Sequence, residues 1–380
     1  MPLTPFLNAA ALLPSYASDT SGVCSALYEC GGMIVIHDAS GCNSTYSTFD
    51  EPRWWDMESL IFISGLTEME AISGNEQRFI DDCVRCAKEL SPAFLALCTS
   101  PMPVLIGTDM QAIAYEIEQK LALPVFSVRT NGIYSYLVGA SRAWQALLEH
   151  FPVQPAQFDK SRVNILGACP LDCTDQALAK IKTWLAQKGF TLGVSLARGF
   201  SLGDLARLPE ASVNLVISSS ALAIARDLNT RFGQPYVVGL PFGDFAEELA
   251  LRLTRASEQR ENFLLCHQDC EHPKTLVIGE SVFAVSLALS LEAQGQACRI
   301  YCPLETPEGL LGPNDFGGEE DEVLAQKLAQ EASRIYADPF YTVLSPPTAQ
   351  FFPCPHTAFS GRVYLGSRNI VDLLLGDSPC

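Results

Sequence analysis

Residues 214–241 read NLVISSSALAIARDLNTRFGQPYVVGLP. A short apolar run passes through three serines into a helical stretch, ALAIARDLNTRFG, and a second apolar run, PYVV, follows. Two strands joined by a helix-length crossover are parallel neighbours, because an antiparallel pair needs only a tight turn. This segment predicts a parallel sheet with helices on its faces.

The pattern extends both ways along the chain. RVNILGA (162–168), a helix over 174–189 and TLGVSLA precede it, and they follow PVQPAQFDKS, which reads as a linker. Upstream lie strands at MIVIHD (33–38), LIFISG (60–65), AFLALCTS (93–100) and PVFSVRT (124–130), with helices over 107–121 and 134–151. Downstream, KTLVIGE (274–280) starts another round. It continues through helix SVFAVSLALSLEAQG, strand ACRIYCP, an acidic helix near 319–335 and a strand at YTVLSP. TAFSGRVYLGSRNIVDLLLG reads as a loop and closing helix. Near-continuous apolar strands alternating with helices imply sheets covered on both faces. The fold class is α/β, with three doubly wound, Rossmann-like parallel-sheet domains around a central cleft. Their expected spans are 1–155, 156–265 and 266–380. Ligands in such folds sit beyond the carboxyl ends of strands or between domains.

Hydrophobic residues make up 48% of the 380 and charged residues 18%, which suits a compact core rather than a disordered chain. With 25 basic against 43 acidic residues the formal net charge is −18, so nucleic acid is excluded as a partner. No run reaches the roughly 18–20 apolar residues of a membrane span. The N-terminal apolar stretch lacks a basic flank and is broken by Pro2, Pro5 and Pro14, so it does not read as a signal peptide. Fourteen cysteines without an export signal point to a reducing, cytoplasmic setting, where thiols are metal ligands or core more often than disulfides.

Cys24, Cys30, His37 and Cys42 fall within nineteen positions. Cys24 and Cys30 read as lying in a loop entering the first domain. Cys42 follows the strand MIVIHD, and Cys98 ends the strand of AFLALCTS. Both strand ends can share one sheet edge, with Cys24 brought over by the N-terminal arm. Thiolates gathered at such an edge suit an iron–sulfur cluster; the alternative is that each is a small buried hydrophobe.

Three stretches together resemble the N-terminal domain of the nitrogenase component 1 superfamily. They are VCSALYECGGMIVIHDASGCNSTYSTFDEPRW, LIFISGLTEMEAISGNEQRFID and LALCTSPMPVLIGTDMQAIAYEIE. The His-x-x-x-Gly-Cys element of that family falls on His37 to Cys42. Its Gly-x-x-Glu segment falls on Gly65, Glu68 and Gly74, and its Cys-Thr element on Cys98, Thr99, Ile106, Gly107 and Asp109. The later segments are similar in order to its second and third domains. The resemblance implies an iron–sulfur cluster (4Fe–4S or larger) at a subunit interface, held by Cys24, Cys42 and Cys98. Cys30 is a further candidate for the cluster, and His37 could hydrogen-bond to a cluster sulfur. It also implies electrons from an ATP-hydrolysing iron protein, a dimer with itself or a sister subunit, and a small-molecule substrate reduced in the cleft. A different reading is a scaffold or carrier for assembly of an iron–sulfur metallocofactor.

The chain departs from nitrogenase proper at Ser218, Ser219 and Ser220, where the catalytic subunit of that family has a cofactor-ligating cysteine. A serine oxygen is hard and poorly acidic, so a nitrogenase-type cofactor is not expected. His356, in PCPHTAFSGR, corresponds to a region near the active-site cavity of that family and is the candidate proton donor. CPLDC (169–173) reads as a cleft-lining loop, CVRC (83–86) as helix cysteines and CHQDCEH (266–272) as a polar linker with zinc-like spacing. Arg53, Trp54 and Trp55 read as an exposed contact surface. No G-x-x-x-x-G-K-[ST] loop occurs, so ATP hydrolysis would belong to another protein.

Overall fold

A computed structural model of the chain describes residues 13, 16–39, 51–266, 272–318 and 321–364. It contains three sheets in which every strand pair is parallel. The first sheet holds β1 (Met33–His37), β2 (Leu60–Ile63), β3 (Leu95–Thr99) and β4 (Val125–Ser127), in the order β2-β1-β3-β4. The second holds β5 (Asp159–Leu166), β6 (Thr191–Ser195), β7 (Ala211–Val216) and β8 (Tyr236–Val238), in the order β6-β5-β7-β8. The third holds β9 (Thr275–Ile278), β10 (Cys298–Cys302), β11 (Phe316–Gly317), β12 (Arg334–Ala337) and β13 (Gln350–Pro353), in the order β11-β10-β9-β12-β13. In each sheet the first strand lies inside, and the chain winds to one side of it and then the other. The switch points fall at β1/β3, β5/β7 and β9/β12, where such folds place their ligands.

The helices are α1 (Asp19–Leu27), α2 (Glu68–Ser73), α3 (Gln77–Leu90), α4 (Pro101–Leu105), α5 (Met110–Lys120) and α6 (Tyr136–His150), followed by α7 (Asp175–Gln187), α8 (Leu222–Phe232), α9 (Phe245–Gln259), α10 (Ser281–Ala293), α11 (Glu322–Glu331) and α12 (Thr357–Ser360). One face of the first sheet (Met33, Val35, Leu95, Leu97) packs on Phe79, Ile80, Ile113 and Ile117 of α3 and α5. Its other face (Ile34, Ile36, Ala96, Cys98) joins a single core running through all three sheets. Among the described residues no helix is long and apolar enough to cross a membrane.

Three expectations need correction. Cys24 sits on a helix, α1, not in a loop. The small residues of DTSGVCSAL carry little helical signal, but they let α1 lie against α6: a Cβ on Gly22 would come within 2.0 Å of the Tyr136 carbonyl oxygen, and one on Gly139 within 1.8 Å of that of Asp19. Such close approach is open only to glycine. YTVLSP is not a strand. Asp338 caps a 3-10 turn over Pro339–Leu344 by accepting from the Phe340 amide, and Pro339 pre-sets its first φ. The strands of that region are β12 and β13 instead. Arg53 is 1% exposed rather than a surface residue. The expected closing helix, beyond residue 364, lies outside the described residues, as does most of CHQDCEH.

Candidate functional site

At the switch point of the first sheet, β1 and β3 run in register with Ile36 beside Cys98 and His37 beside Thr99. Alternation sends Cys98 to the α1 face. There Cys24 and Cys98 share the core, close enough that a Cys24 thiolate would oppose ionisation of Cys98. Burial, then the Glu51 charge, pushes the Cys24 thiol up to about 12. Burial first, and then Cys24, holds Cys98 well above the usual thiol range. Both are thus neutral thiols that only a bound cation would deprotonate. Cys42 lies outside the described residues. In sequence it stands five positions beyond His37, the last residue of β1. Cys24 and Cys98 are soft donors of the kind that suits an iron–sulfur cluster. Among the described residues no group of three or more His, Cys, Asp or Glu side chains is gathered for a metal ion.

His37 and Cys30 point elsewhere. His37 faces α3, across the sheet from Cys98; its ring stacks on Phe79 at 4.3 Å and its Nδ1 meets Ser64 Oγ at 2.9 Å. Burial lowers its pKa to about 4, so at neutral pH its 3.4 Å approach to Glu76 is not an ion pair. Cys30 is buried past the end of α1, with Arg53, Glu29 and Asp204 as its charged surroundings.

The first unit is tied to the second beside Cys24. Arg53 donates to Glu51 (2.7 and 3.0 Å), Glu29 (2.8 Å), the Ser25 carbonyl (2.6 Å) and the Ala197 carbonyl (3.3 Å), with its guanidinium 4.5 Å from the Tyr28 ring. Ser25, the neighbour of Cys24, also accepts from the Cys169 thiol at 3.1 Å. Cys169 opens the CPLDC turn, whose Asp172 amide donates back to the Cys169 carbonyl at 2.9 Å.

Asp172 is the centre of a second constellation, which sequence reading missed. Its carboxylate accepts from Tyr136 of α6 and from Ser218 Oγ at 2.6 Å, and His356 Nε2 lies 3.3 Å from it, within ion-pairing distance. His356 Nδ1 accepts from the Ala358 amide, which assigns the ring proton to Nε2. Asp172 and Ser218 mark the β5/β7 switch point. Glu280 follows β9 and Asp338 follows β12, marking that of the third sheet. Glu280 accepts from the Ser219 amide at 3.0 Å, and Asp338 accepts from the His356 amide at 2.8 Å. The strand-end edges of the second and third sheets therefore meet, with Tyr136 completing the junction. Burial, then Asp172 and Glu280, holds the Tyr136 phenol well above its usual range, and burial raises Glu280. Its members are too far apart in sequence to show a motif; the signal was Asp172 within the cleft-lining CPLDC.

A family model described as "Nitrogenase component 1 type Oxidoreductase" matches residues 22–254. The chain is 28% identical over 196 residues to the nitrogenase iron-molybdenum cofactor biosynthesis protein NifE of Sinorhizobium fredii (strain NBRC 101917 / NGR234), covering 50% of this chain and 39% of that protein. It thus spans less than half the length of that relative. It is 21% identical over 362 residues to a light-independent protochlorophyllide reductase subunit of Nostoc punctiforme (strain ATCC 29133 / PCC 73102), covering 79% of this chain and 70% of that one. A solved structure of nitrogenase Cp1 at pH 6.5 superposes with a TM-score of 0.66 at 13% identity, over 96% of this chain and 93% of that one. That likeness is one of fold.

Proposed function

As this chain belongs to the nitrogenase component 1 type oxidoreductases, we propose that it is the iron–sulfur catalytic component of a nitrogenase-like reductase. It takes low-potential electrons from an ATP-dependent iron protein and reduces a small molecule bound where the three sheet units meet. The observation that carries this reading is the Cys24–Cys98 pair at the first switch point, joined through Ser25 and Cys169 to the Asp172 junction.

Cys24, Cys42 and Cys98 would hold the cluster, which when bound stores electrons and passes them on. The remaining work falls to the chain's own groups. Reduction of an organic molecule needs protons as well as electrons, and His356 Nε2, the Tyr136 hydroxyl and the Ser218 hydroxyl all carry exchangeable protons on Asp172. The protein acts as a dimer, with itself or with a sister subunit. Met102, Val104, Leu105, Ile106 and Ile133 leave an apolar surface beside the β3 end, which supports contact with another chain. The scaffold reading, in which the chain assembles and hands on a metallocofactor, is favoured by the likeness to NifE.

The test is iron and sulfide content of anaerobically purified protein, with the EPR spectrum of the dithionite-reduced form, for the natural chain and for Cys24→Ala, Cys42→Ala and Cys98→Ala. About four irons per dimer, lost in each variant, is expected for one simple cluster. Iron that ignores all three substitutions, or no iron, overturns both readings. Transfer of the iron to an apo-acceptor, without turnover, selects the scaffold.

A further inference from the structure

Tyr136 and Ser218 face the buried junction, and their chain neighbours Leu137 and Ser219 line a pocket on its other side. The pocket is an open one of about 340 Å³, within the roughly 300–1,000 Å³ of small-molecule sites. It lies where α6, the Ser218–Ala221 turn after β7 and the loop after β10 converge, so all three sheet units contribute walls.

The lining is unevenly equipped. Leu137, Val138 and Pro307 make an apolar wall. Ser219 is 6% exposed and its hydroxyl has no hydrogen-bond partner among the described residues. A buried hydroxyl left alone is costly, and a χ1 rotation is all a serine needs to reach a new acceptor. The Ser141 and Gln145 side chains, one helical turn apart on α6, likewise have no partner among the described residues. Arg142 donates one nitrogen to the Arg129 carbonyl, at 2.6 Å, and stacks on Tyr134, both of a neighbouring pocket it also lines. The rest of its fork has no hydrogen-bond partner among the described residues. The pocket's one carboxylate, Glu305, already accepts at both oxygens from Ser135. What the pocket offers is donor capacity around a guanidinium, in a chain whose net charge is −18.

We propose that this pocket is a binding site for a small organic molecule with an apolar body and one carboxylate, held by Arg142, Gln145, Ser141 and Ser219. The proposal rests on the reductase reading above, of which this molecule is the substrate class. The guanidinium takes the carboxylate, the serines and Gln145 complete its hydrogen bonds, and the Leu137 wall takes the body. The buried junction behind it keeps Leu137 and Ser219 in place.

The experiment uses the full chain, as purified and after anaerobic cluster loading, with benzoate as probe and benzamide as its uncharged counterpart. Binding is followed by saturation-transfer NMR, and iron content and thermal melting are measured on the same samples. Saturable benzoate binding is expected, roughly tenfold or more tighter than benzamide, and weakened by a similar factor in Arg142→Gln and in Ser219→Ala. Arg129→Gln is the control, because Arg129 and Arg142 share a neighbouring pocket that Ser219 does not line. Its binding should equal that of the natural chain. No saturable binding, equal affinity for benzamide, or dependence on Arg129 with indifference to Ser219 overturns the proposal. A variant that melts early is replaced by Gln145→Ala, for which the same loss is expected. Iron without benzoate binding removes this site alone; benzoate binding in a chain that holds no iron removes the reductase reading and leaves the site.

Discussion

The Asp172 carboxylate and the His356 imidazole meet 3.3 Å apart, the first just beyond β5 of the second sheet and the second just beyond β13 of the third. Asp172 is thereby the point at which all three units meet, since Tyr136 of α6 donates to it. Asp172→Asn removes the charge while keeping the shape. Hydrogen bonds to a charged group are each worth about 1.5–3 kcal/mol, so a loss of at least that much stability is expected in urea denaturation. An unchanged midpoint and slope would show that the junction does not depend on the carboxylate.

Arg53 is the cation for the buried Glu51 and also pairs with the half-buried Glu29, which Arg198 reaches at 3.4 Å. Removing one partner of such a cluster typically costs about 3–5 kcal/mol, because the other charge stays buried and unpaired. Arg53→Met should therefore destabilise by that order. Arg53→Lys should recover little, because an ammonium cannot fork to Glu51, Glu29 and two carbonyls together. Chemical denaturation of both variants checks this, and full rescue by lysine would contradict it.

His37 makes stability depend on pH. Its folded pKa of about 4 lies below the unfolded value of 6.5, so the unfolded chain binds the proton more readily. Stability is complete above pH 6.5 and is lost as pH falls from there towards 4. At pH 5 the loss from this residue alone is about 2 kcal/mol. Denaturation of the natural chain and of His37→Phe at pH 7 and pH 5 isolates it: the gap between them should narrow at pH 5. A constant gap would mean that His37 titrates alike in both states.

Cys24 and Cys98 are shut away and held protonated, while Cys266 is exposed. Alkylation by iodoacetamide at pH 8, read by peptide mass spectrometry on metal-free native protein, should label Cys266 and spare the other two. Rapid labelling of Cys24 or Cys98 without denaturant would show an open site.

The α/β architecture was legible because each sheet is parallel and its inner strands are buried on both faces, so MIVIH, LALCT and TLVI read as unbroken apolar runs. What failed was structure that other parts of the chain impose. α1 is a helix of small residues, shaped by contact with α6. RIYA and QFFP are only four residues each and begin at exposed Arg334 and Gln350, whereas YTVLSP, which reads as a strand, is turned into a 3-10 segment by Asp338 and Pro339. Of the candidate site, the strand-end position of Cys98 was readable from its run. The charges around Arg53 gave no hint that they neutralise one another in the interior. Nothing in positions 136, 172, 218 and 356 announces that they share a carboxylate.

The backbone contact of Gly22 and Gly139 asks for one more measurement. Gly139→Ala would drive a methyl group into the Asp19 carbonyl, and overpacking of this kind costs about 1–3 kcal/mol or more. Thermal melting should show the loss, and an unaltered melt would mean the helices part without strain.

That contact also means that α1 and α6 behave as a single girder. Cys24 rides on one member and Tyr136 on the other, with main chain pressed on main chain between them. The spacing from the thiol pair to the three-unit junction is thus set by two missing methyl groups, not by the bulk of any side chain. A single added carbon at either glycine would alter it.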